Sequence, residues 1–334
     1  MKVLFIGGTG VISTACTELA AARGIELFLF NRGQRAIDLP DGVEVIVGDI
    51  KKPDEAAEAL QEHTWDAVVN WINFVPEDIE RDISLFAGKT RQYIFISSAS
   101  AYQKPVSHYL INESTPLAKP YWQYSRNKIA CEERLMQAYR EDGFPITIVR
   151  PSLTYGDTLI PLAVNSWGKS WTVVDRMLKG RKIIVPGDGT SLWVTTHNSD
   201  FAKGLVGLLG HAQAIGHAFH ITSDEVLTWD QHYQIVGRTV GVEPEIVHIP
   251  TEFLMAFNPG EEGNLLGDKA WSVVFDNTKL KTFVPDYVAT TTFAQGMART
   301  IACFQAHSSM QAIDDEFNAL CDKIIAAYET GLPA

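Results

Sequence analysis

The stretch that decides the fold is KVLFIGGTGVIS, residues 2–13. Its first five residues form an apolar run typical of a buried parallel strand, and glycines end that strand. The next stretch, VISTACTELAAARG (11–24), has a helical pattern that closes at Gly24. A glycine-rich turn between such a strand and helix is where a dinucleotide pyrophosphate meets a helix N-terminus. Residues 2–13 therefore predict a nucleotide-binding β-α unit, with an ordinary turn as the alternative.

Two glycines of the loop, Gly7 and Gly10, have different structural roles. Gly7 supplies the tight turn, and Gly10 lets the backbone approach the phosphates closely. The third small position of the usual pattern holds Ser13, which needs little more room than glycine but weakens the match. The sequence predicts that the remaining cofactor contacts of this loop come from Thr9, Val11 and Ile12.

Beyond this loop, strand-like and helix-like segments alternate. The strand-like segments are 25–30, 43–49, 65–72, 91–98 and 144–150. This alternation predicts an α/β fold, a Rossmann-type doubly wound parallel sheet with a smaller C-terminal substrate lobe. The predicted boundaries are 1–156 for the dinucleotide-binding core, rejoined by about 190–222, then 157–189 and 223–300 for the lobe, and 301–334 for a C-terminal helical extension.

The composition excludes several classes of protein. The chain has 334 residues, 46% of them hydrophobic and 20% charged, and a formal charge of −12. The excess of acidic over basic residues argues against a general nucleic-acid binder. The sequence contains no run of about 18 apolar residues, the length that a membrane-spanning helix needs. The scattered cysteines show no metal spacing and fit buried thiols in a reducing compartment. We therefore expect a cytoplasmic protein without a metal site. The cysteines are Cys16, Cys131, Cys303 and Cys321.

The end of the second strand bears on the choice of cofactor. An acidic residue expected there would bind the adenosine ribose, but this chain has Asn31 and Arg32. Because an arginine can bind a 2′-phosphate with a charge-assisted fork, the sequence favours NADP slightly over NAD. The alternative is that Arg32 is a solvated surface charge. After the third strand, Asp49 and Ile50 are placed to contact the adenine.

The segment YSRNK (124–128) places Tyr124 and Lys128 one helical turn apart, on one helix face. A nearby ammonium lowers the pKa of a phenol, which would make Tyr124 usable for proton transfer at neutral pH. Taken alone, the pair favours an ordinary amphipathic helix surface. The other motifs of the chain favour the catalytic interpretation.

Several motifs follow one another in a recognisable order, and with them the chain resembles the extended short-chain dehydrogenase/reductase family, the NAD(P)-dependent sugar epimerase/dehydratase group. The resemblance covers about residues 1–300. It implies that Tyr124 is the catalytic acid/base, that Lys128 is its partner and holds the nicotinamide ribose, and that Ser98 is the catalytic hydroxyl. The motifs are GGTG, GDI, FISSASAY, YSRNK, VRPSLTYG, PGDG and THNSDFA.

The resemblance also implies further contacts and an assembly state. Asn70 and Asn73, after the fourth strand, would line the nicotinamide ribose, and Ser97 and Pro151 would contact the cofactor. A homodimer is expected. Weaker candidates for the substrate site are Ser100, Tyr102, Trp167 and Trp193.

Two departures from the family pattern narrow the reaction. Dehydratases and decarboxylases of the family have an acid directly after the catalytic hydroxyl, whereas here Ala99 and Ser100 follow Ser98. Trp193 and Leu266 occupy the counted positions of the two arginines that grip a nucleotide diphosphate. These departures argue against dehydration, against decarboxylation and against a nucleotide-diphosphate sugar as substrate, although Lys269 or Arg176 could restore a phosphate grip. An aromatic lining is predicted from Trp167, Trp171, Trp193 and Trp271, with lobe core as the alternative for each.

The sequence thus predicts an epimerase that oxidises a secondary hydroxyl of a sugar-like substrate to a transient ketone and reduces it again. One alternative is an NADP-dependent ketoreductase or dehydrogenase that releases its product. An alternative of another class is a non-catalytic relative that binds RNA or a protein.

Overall fold

The computed structural model describes residues 1–34, 38–118 and 120–331. The last three residues of the predicted C-terminal extension lie outside these ranges. The strands are β1 (Lys2–Ile6), β2 (Glu26–Asn31), β3 (Glu44–Val47), β4 (Ala67–Asn70), β5 (Tyr93–Ile96), β6 (Leu110–Ile111), β7 (Ile146–Pro151), β8 (Leu153–Tyr155), β9 (Ile183–Pro186), β10 (Leu192–Trp193), β11 (Thr195–His197), β12 (Ala218–Ile221), β13 (Leu227–Thr228), β14 (Ile246–Ile249) and β15 (Val274–Phe275).

Helices connect these strands and cover the sheet. They are α1 (Ser13–Ala22), α2 (Pro53–Leu60), α3 (Pro76–Phe86), α4 (Gln123–Asp142), α5 (Trp171–Leu178), α6 (Asn198–Leu208), α7 (Trp229–Thr239), α8 (Thr251–Phe257), α9 (Thr278–Phe283), α10 (Phe293–Ala306) and α11 (Asp315–Thr330). A short π-helical segment, Leu265–Lys269, lies between α8 and β15.

The central sheet has seven strands in the order β12-β7-β5-β4-β1-β2-β3, and every neighbouring pair is parallel. Chain order reverses beside β1, since β2 lies on one side of it and β4 on the other. Ligands bind at such a switch point, outside the carboxyl ends of the strands. The predicted α/β class and parallel doubly wound sheet are confirmed.

Apolar side chains of β1 point alternately to the two faces of the sheet, and helices cover both faces. Val3 and Phe5 pack into one hydrophobic cluster with residues of α1 and α6, whereas Leu4 and Ile6 pack into another with residues of α2, α3 and α4. All four side chains are fully buried. Successive strand residues point to opposite faces, so a continuous apolar run such as KVLFI requires helices on both sides.

The second lobe is built from later elements around its own hydrophobic cluster, which includes residues of α5, β9, α7 and α10. Short strand pairs link its parts: β8 with β11, β9 with β14, β10 with β13 and β6 with β15. Capping boxes define the starts of two of its helices, with Thr228 and Gln231 at α7 and Thr292 and Gln295 at α10. The strand β8 directly follows β7 in the chain.

Within the described ranges, no helix is both long and apolar enough to cross a membrane. The four cysteines are free thiols, and three of them are buried. Among the same residues, no group of three or more His, Cys, Asp or Glu side chains is arranged to hold a metal ion.

Arg176 on α5 ties the C-terminal helix to the lobe. Its guanidinium is 1% exposed and donates to the main-chain oxygen of Lys182, to Asn318 and to the carboxylate of Asp322. These contacts use the guanidinium internally, away from the cavity lined by Ser98 and Tyr124. The idea that Arg176 restores a phosphate grip is therefore wrong.

We expect Arg176→Met to lower the free energy of unfolding by about 2–4 kcal/mol, because buried acceptors lose their donor. Urea unfolding measures the change. Arg181→Met is the matched control, since Arg181 contacts the same Asp322 from a more exposed position, and an exposed ion pair contributes only about 0–1 kcal/mol. Equal destabilisation by the two substitutions would contradict the structural role given to Arg176.

Candidate active site

Two cavities open at the carboxyl edge of the sheet and share residues Tyr124 and Pro151 in their walls. The larger, of about 780 Å³, runs along the glycine loop and is called here the cofactor cavity. The smaller, of about 440 Å³, lies between the sheet edge and the second lobe and is called the substrate cavity. Tyr124 therefore stands where the two spaces meet.

The cofactor cavity brings together most of the residues predicted to bind the dinucleotide. Those that line it are Gly7, Thr9, Gly10, Val11, Ile12, Asn31, Arg32, Asp49, Ile50, Ser97, Tyr124, Lys128 and Pro151. Gly7 and a glycine that the sequence analysis did not single out, Gly8, have φ angles of +99° and +96°. A Cβ on Gly8 would lie 2.7 Å from Leu29 Cδ2, so this position requires glycine on both grounds.

The glycine loop is held from the second half of the chain. Asn198, in the THNSDFA motif at the start of α6, donates from Nδ2 to the main-chain oxygen of Val11 at 2.7 Å. A Cβ on Gly156 would lie 2.2 Å from the same Nδ2, which explains the glycine that ends VRPSLTYG. Helix α1 begins without a side-chain cap, although the amide of Thr14 in its first turn donates to the main-chain oxygen of Gly10. The N-terminus of α1 lies beside the glycine loop, where a helix favours a phosphate. These features fit a dinucleotide.

One part of the cofactor cavity is lined by residues at and after the ends of β2 and β3. Arg32 is exposed, and Asn31 uses its Oδ1 to accept from the amide of Gly33. Asp49 accepts from the amide of Lys51 through Oδ1 at 3.0 Å, leaving its other carboxylate oxygen at the cavity wall. No acidic residue ends β2, and the exposed Arg32 follows its last residue, Asn31.

Tyr124 and Ser98 meet in the wall of the substrate cavity. Burial raises the pKa of Tyr124, and a hydrogen bond with Ser98 opposes that rise. The lowering of this pKa that we expected from Lys128 is not found, because desolvation of the phenol outweighs the other influences on it. At neutral pH the phenol is therefore a proton donor in this structure.

Lys128 is buried and its ammonium is held by main-chain oxygens. Nζ donates to Asn73 O at 2.5 Å and to Ile96 O at 2.8 Å. It also lies 4.7 Å from the ring centroid of Phe74 and 5.7 Å from that of Tyr124. Burial lowers the pKa of Lys128 to about 8. Of the three protons of an ammonium, two are committed to carbonyls, which leaves one for a ligand in the cofactor cavity.

Asn70 and Asn73 differ from their predicted role, since neither lines the cofactor cavity. Both donate from Nδ2 to the buried carboxylate of Asp82, at 2.5 and 2.7 Å, and Asp82 also accepts from the hydroxyl of Tyr93. Arg81 completes the network by contacting Asp82 and Asn73. The two amides are therefore used internally, and Asn73 acts on the site through its main-chain oxygen.

Ser97 and Tyr102 are also engaged elsewhere. Ser97 lines the cofactor cavity, but its hydroxyl donates to Glu132, which forms a buried ion pair with Arg150. Tyr102 is fully buried, lies under the Arg150 guanidinium at 4.9 Å, and its hydroxyl contacts His220. The structure therefore places Tyr102 behind the substrate cavity and not in its wall.

A chain of hydroxyl groups extends from Ser98. Ser98 Oγ donates to Ser100 Oγ at 2.9 Å, and Ser100 Oγ lies 2.7 Å from Ser125 Oγ. Ser125 follows Tyr124 directly and was not singled out from the sequence. Because each hydroxyl both donates and accepts, this chain fixes the orientation of Ser98.

Only part of the predicted aromatic lining is present. Trp167 and Trp193 line the substrate cavity. Trp171 instead stacks on Phe304 at 5.6 Å in the lobe core, and Trp271 lines a separate surface cavity. Leu266 lines that separate cavity too, so this counted position lies outside the substrate cavity.

Three of the residues that sequence reasoning missed in the substrate cavity are charged. Lys104, Glu261 and Asp268 line it together with Lys269, the lysine already considered as a phosphate grip. Asp268 and Glu261 come from a segment far from Ser98 in sequence. Inspecting only the position after Ser98 could not reveal these acids, and the sequence carried no periodic signal for them.

The match to known proteins agrees with this geometry. Residues 3–222 match the model of the NAD dependent epimerase/dehydratase family. The chain belongs to this family. It is an enzyme of the extended short-chain dehydrogenase/reductase type, and the resemblance predicted from the motifs is confirmed.

Relatives within this epimerase/dehydratase family are diverse. The chain is 25% identical to 2′-dehydrokanamycin reductase of Streptomyces kanamyceticus over 86% of this chain and 80% of that protein. It is 29% identical to the chloroplast stem-loop binding protein of 41 kDa b of Arabidopsis thaliana, over 75% and 67% of the two chains. The structure of dTDP-glucose 4,6-dehydratase from Bacillus anthracis in complex with NAD has a TM-score of 0.73, 18% identity, and coverage of 92% and 98%.

The lowered pKa of Lys128 makes the stability of this epimerase/dehydratase family member depend on pH. An unfolded lysine has a pKa of about 10.4, so between pH 8 and that value the unfolded chain holds more protons than the folded one. The free energy of unfolding should therefore rise with pH there, and Lys128→Met should reduce the rise from pH 7.5 to 9.5 by about 1–2 kcal/mol.

Chemical denaturation at the two pH values measures this rise. Lys179→Met is the control, because the Lys179 side chain is 60% exposed, and it should leave the rise unchanged. An unchanged rise in Lys128→Met would show that the ammonium is not held in a desolvated site.

Proposed function

We propose that this protein is an NAD(P)-dependent oxidoreductase, in the first place an epimerase, that acts on a secondary hydroxyl of a sugar-like substrate through a transient ketone. The observation that carries the proposal is the position of Tyr124, which lines both the cofactor cavity and the substrate cavity. A proton-transferring group at this junction touches the substrate oxygen while the substrate carbon faces the cofactor cavity.

The mechanism follows from what each side chain does at the substrate oxygen. Bound NAD(P) supplies the hydride acceptor and donor. In the oxidative direction Tyr124, as phenolate, takes the hydroxyl proton while the carbon gives up its hydride, and in the reductive direction the phenol returns that proton to the ketone oxygen. Ser98 holds the same oxygen by a hydrogen bond. Lys128 keeps one ammonium proton free toward the cofactor cavity, where it would hold the bound dinucleotide.

The raised pKa of Tyr124 indicates which direction of proton transfer this site favours. A phenol that keeps its proton at neutral pH is ready to protonate a ketone oxygen and less ready to deprotonate an alcohol. This supports a net reductase as the second candidate, and the similarity to 2′-dehydrokanamycin reductase supports it further.

Cofactor retention separates the two candidates. An epimerase returns the hydride to the same substrate, so its NAD(P) stays bound through each cycle, whereas a reductase must exchange it. Nicotinamide absorbance of the purified protein and transfer of deuterium from labelled NADPH to product distinguish them. The expected homodimer and cytoplasmic location remain predictions, and the first is measured by light scattering.

One relative is described as a stem-loop binding protein, which bears on the predicted absence of a nucleic-acid partner. The proposal of a small-molecule substrate rests on the Ser98, Tyr124 and Lys128 site and on the net charge of −12. A mobility-shift titration with an RNA stem-loop tests it, because saturable binding at physiological salt would overturn the prediction that nucleic acid is not a partner.

Tyr124→Phe should reduce hydride transfer by about 10²–10⁴-fold, the range for loss of a general acid–base group. Affinity for the dinucleotide, measured by fluorescence titration, should change little because the ring remains. Tyr121→Phe is the matched control, since Tyr121 lies three residues earlier and lines neither cavity. Retention of more than about a tenth of the activity by Tyr124→Phe is incompatible with the assigned role.

We also propose that Arg32 gives a preference for NADP, because it lies exposed on the wall of the cofactor cavity where β2 ends without an acid. Arg32→Ala should weaken NADP binding by about 1.5–3 kcal/mol, the range for hydrogen bonds to charged groups, and leave NAD affinity nearly unchanged. Calorimetric titrations with both cofactors measure this. Arg23→Ala, at an exposed position beyond the end of α1, is the control. Equal affinities for NAD and NADP in the unmutated protein would refute the preference.

A further inference from the structure

The substrate cavity contains a buried lysine that has no hydrogen-bond partner among the described residues. Lys104 follows the turn that carries Ser98 and Tyr102, is only 3% exposed, and lines the cavity with its side chain. Its Nζ lies 5.8 Å from the ring centroid of Trp193. Because an ammonium loses much hydration on burial, a site that keeps one without an acceptor is suited to receive an anion.

A second buried lysine faces the same indole. Lys269 is 4% exposed, and its Nζ also lies 5.8 Å from the ring centroid of Trp193 and 5.2 Å from that of Trp167. Unlike Lys104, it has partners: it donates to Asn264 Oδ1 at 2.5 Å and lies 3.8 Å from Asp268. Both ammonium groups therefore lie near the Trp193 indole, and only that of Lys269 has a hydrogen-bond acceptor and a carboxylate within ion-pair distance among the described residues.

Both acidic side chains that line the cavity already have partners. Asp268 pairs with Lys269, and Glu261 accepts from Asn264 Nδ2 at 2.7 Å, so both belong to one network around Asn264. Burial lowers the pKa of Lys104 to about 8, and Asp268 opposes that effect, so most of Lys104 remains charged at neutral pH. A cationic substrate group would face both lysines, whereas an oxyanion would complete the pairing.

From this arrangement we infer that the substrate is a monosaccharide or small glycoside with a single oxyanion, a carboxylate or a phosphate ester, and that Lys104 binds this group. The inference rests on the proposed function and names its substrate class. No arginine is among the described residues that line the cavity, so the fork that suits a diphosphate is missing there. The cavity of about 440 Å³ suits a small ligand, whose ring would lie against Trp193.

The test is calorimetric titration of the NADP-loaded protein with matched probes: glucuronate, glucose 6-phosphate, glucose, kanamycin and UDP. Glucuronate or glucose 6-phosphate should bind at least about tenfold more tightly than glucose, in keeping with one charge-assisted hydrogen bond. Preference for glucuronate would identify the carboxylate as the source, and preference for glucose 6-phosphate would identify the phosphate. Tightest binding of glucose, kanamycin or UDP would overturn the inference.

Variants connect the binding to Lys104. Lys104→Met should weaken the preferred anionic probe by about 10–100-fold and leave glucose binding unchanged, whereas Lys104→Arg should restore part of the affinity. Lys179→Met, at an exposed position directly after α5, should bind all probes normally. Equal anion affinity in Lys104→Met and the unmutated protein would overturn the inference, with urea unfolding used to establish that the variant folds.

A measurement on the unmutated protein keeps the inference testable if Lys104→Met does not fold. Acetylation of Lys104 by acetic anhydride, followed by peptide mass spectrometry, should be slowed by the anionic probe and not by glucose, while acetylation of Lys179 should be unaffected. Failure of this protection would count against the anion site. The anion site and the proposed catalytic function are tested by different measurements. Tyr124→Phe should lose hydride transfer and still bind the anionic probe normally.

Discussion

The site depends on one buried ammonium held by two main-chain oxygens. Lys128 on α4 donates to Ile96 O at the end of β5 and to Asn73 O in the loop after β4. A lysine with a desolvated ammonium is stable only where acceptors surround it, so helix, strand end and loop must keep their relative positions. Tyr124 lies one turn earlier on the same helix, and its position at the junction of the two cavities follows from this anchoring.

The loop that supplies Asn73 O is itself fixed by a buried carboxylate. Asp82 accepts from Asn70, Asn73, Tyr93 and Arg81, so four donors surround a group with no exposed surface. Such a network is stabilising only when every member is satisfied. It explains why Asn70, the last residue of β4, and Asn73 in the following loop belong to the site without lining the cofactor cavity: they hold the backbone on which Lys128 depends.

The substrate cavity is assembled differently, from segments that are distant in sequence. The turn after β5 contributes Ser98 and Lys104, the strand β10 contributes Trp193, and the π-helical segment contributes Asp268 and Lys269. Two lysines and two acidic residues line this cavity. They differ in whether they already have a partner within the described part of the chain. Lys269, Asn264, Asp268 and Glu261 form a connected group, whereas Lys104 has no hydrogen bond within the described part of the chain.

The sequence by itself determined the sheet, the glycine loop and the catalytic helix, because each depends on local signals. KVLFI is apolar throughout and predicts a strand covered on both faces, and the spacing of Tyr124 and Lys128 predicts a shared helix face. Tertiary structure alone decided the rest. The pKa of Tyr124 depends on burial and not on its helical neighbour, the amides of Asn70 and Asn73 depend on Asp82, and Arg176 depends on a helix more than 100 residues away. Desolvation and pairing are set by neighbours in space, so residue type and spacing could not reveal them.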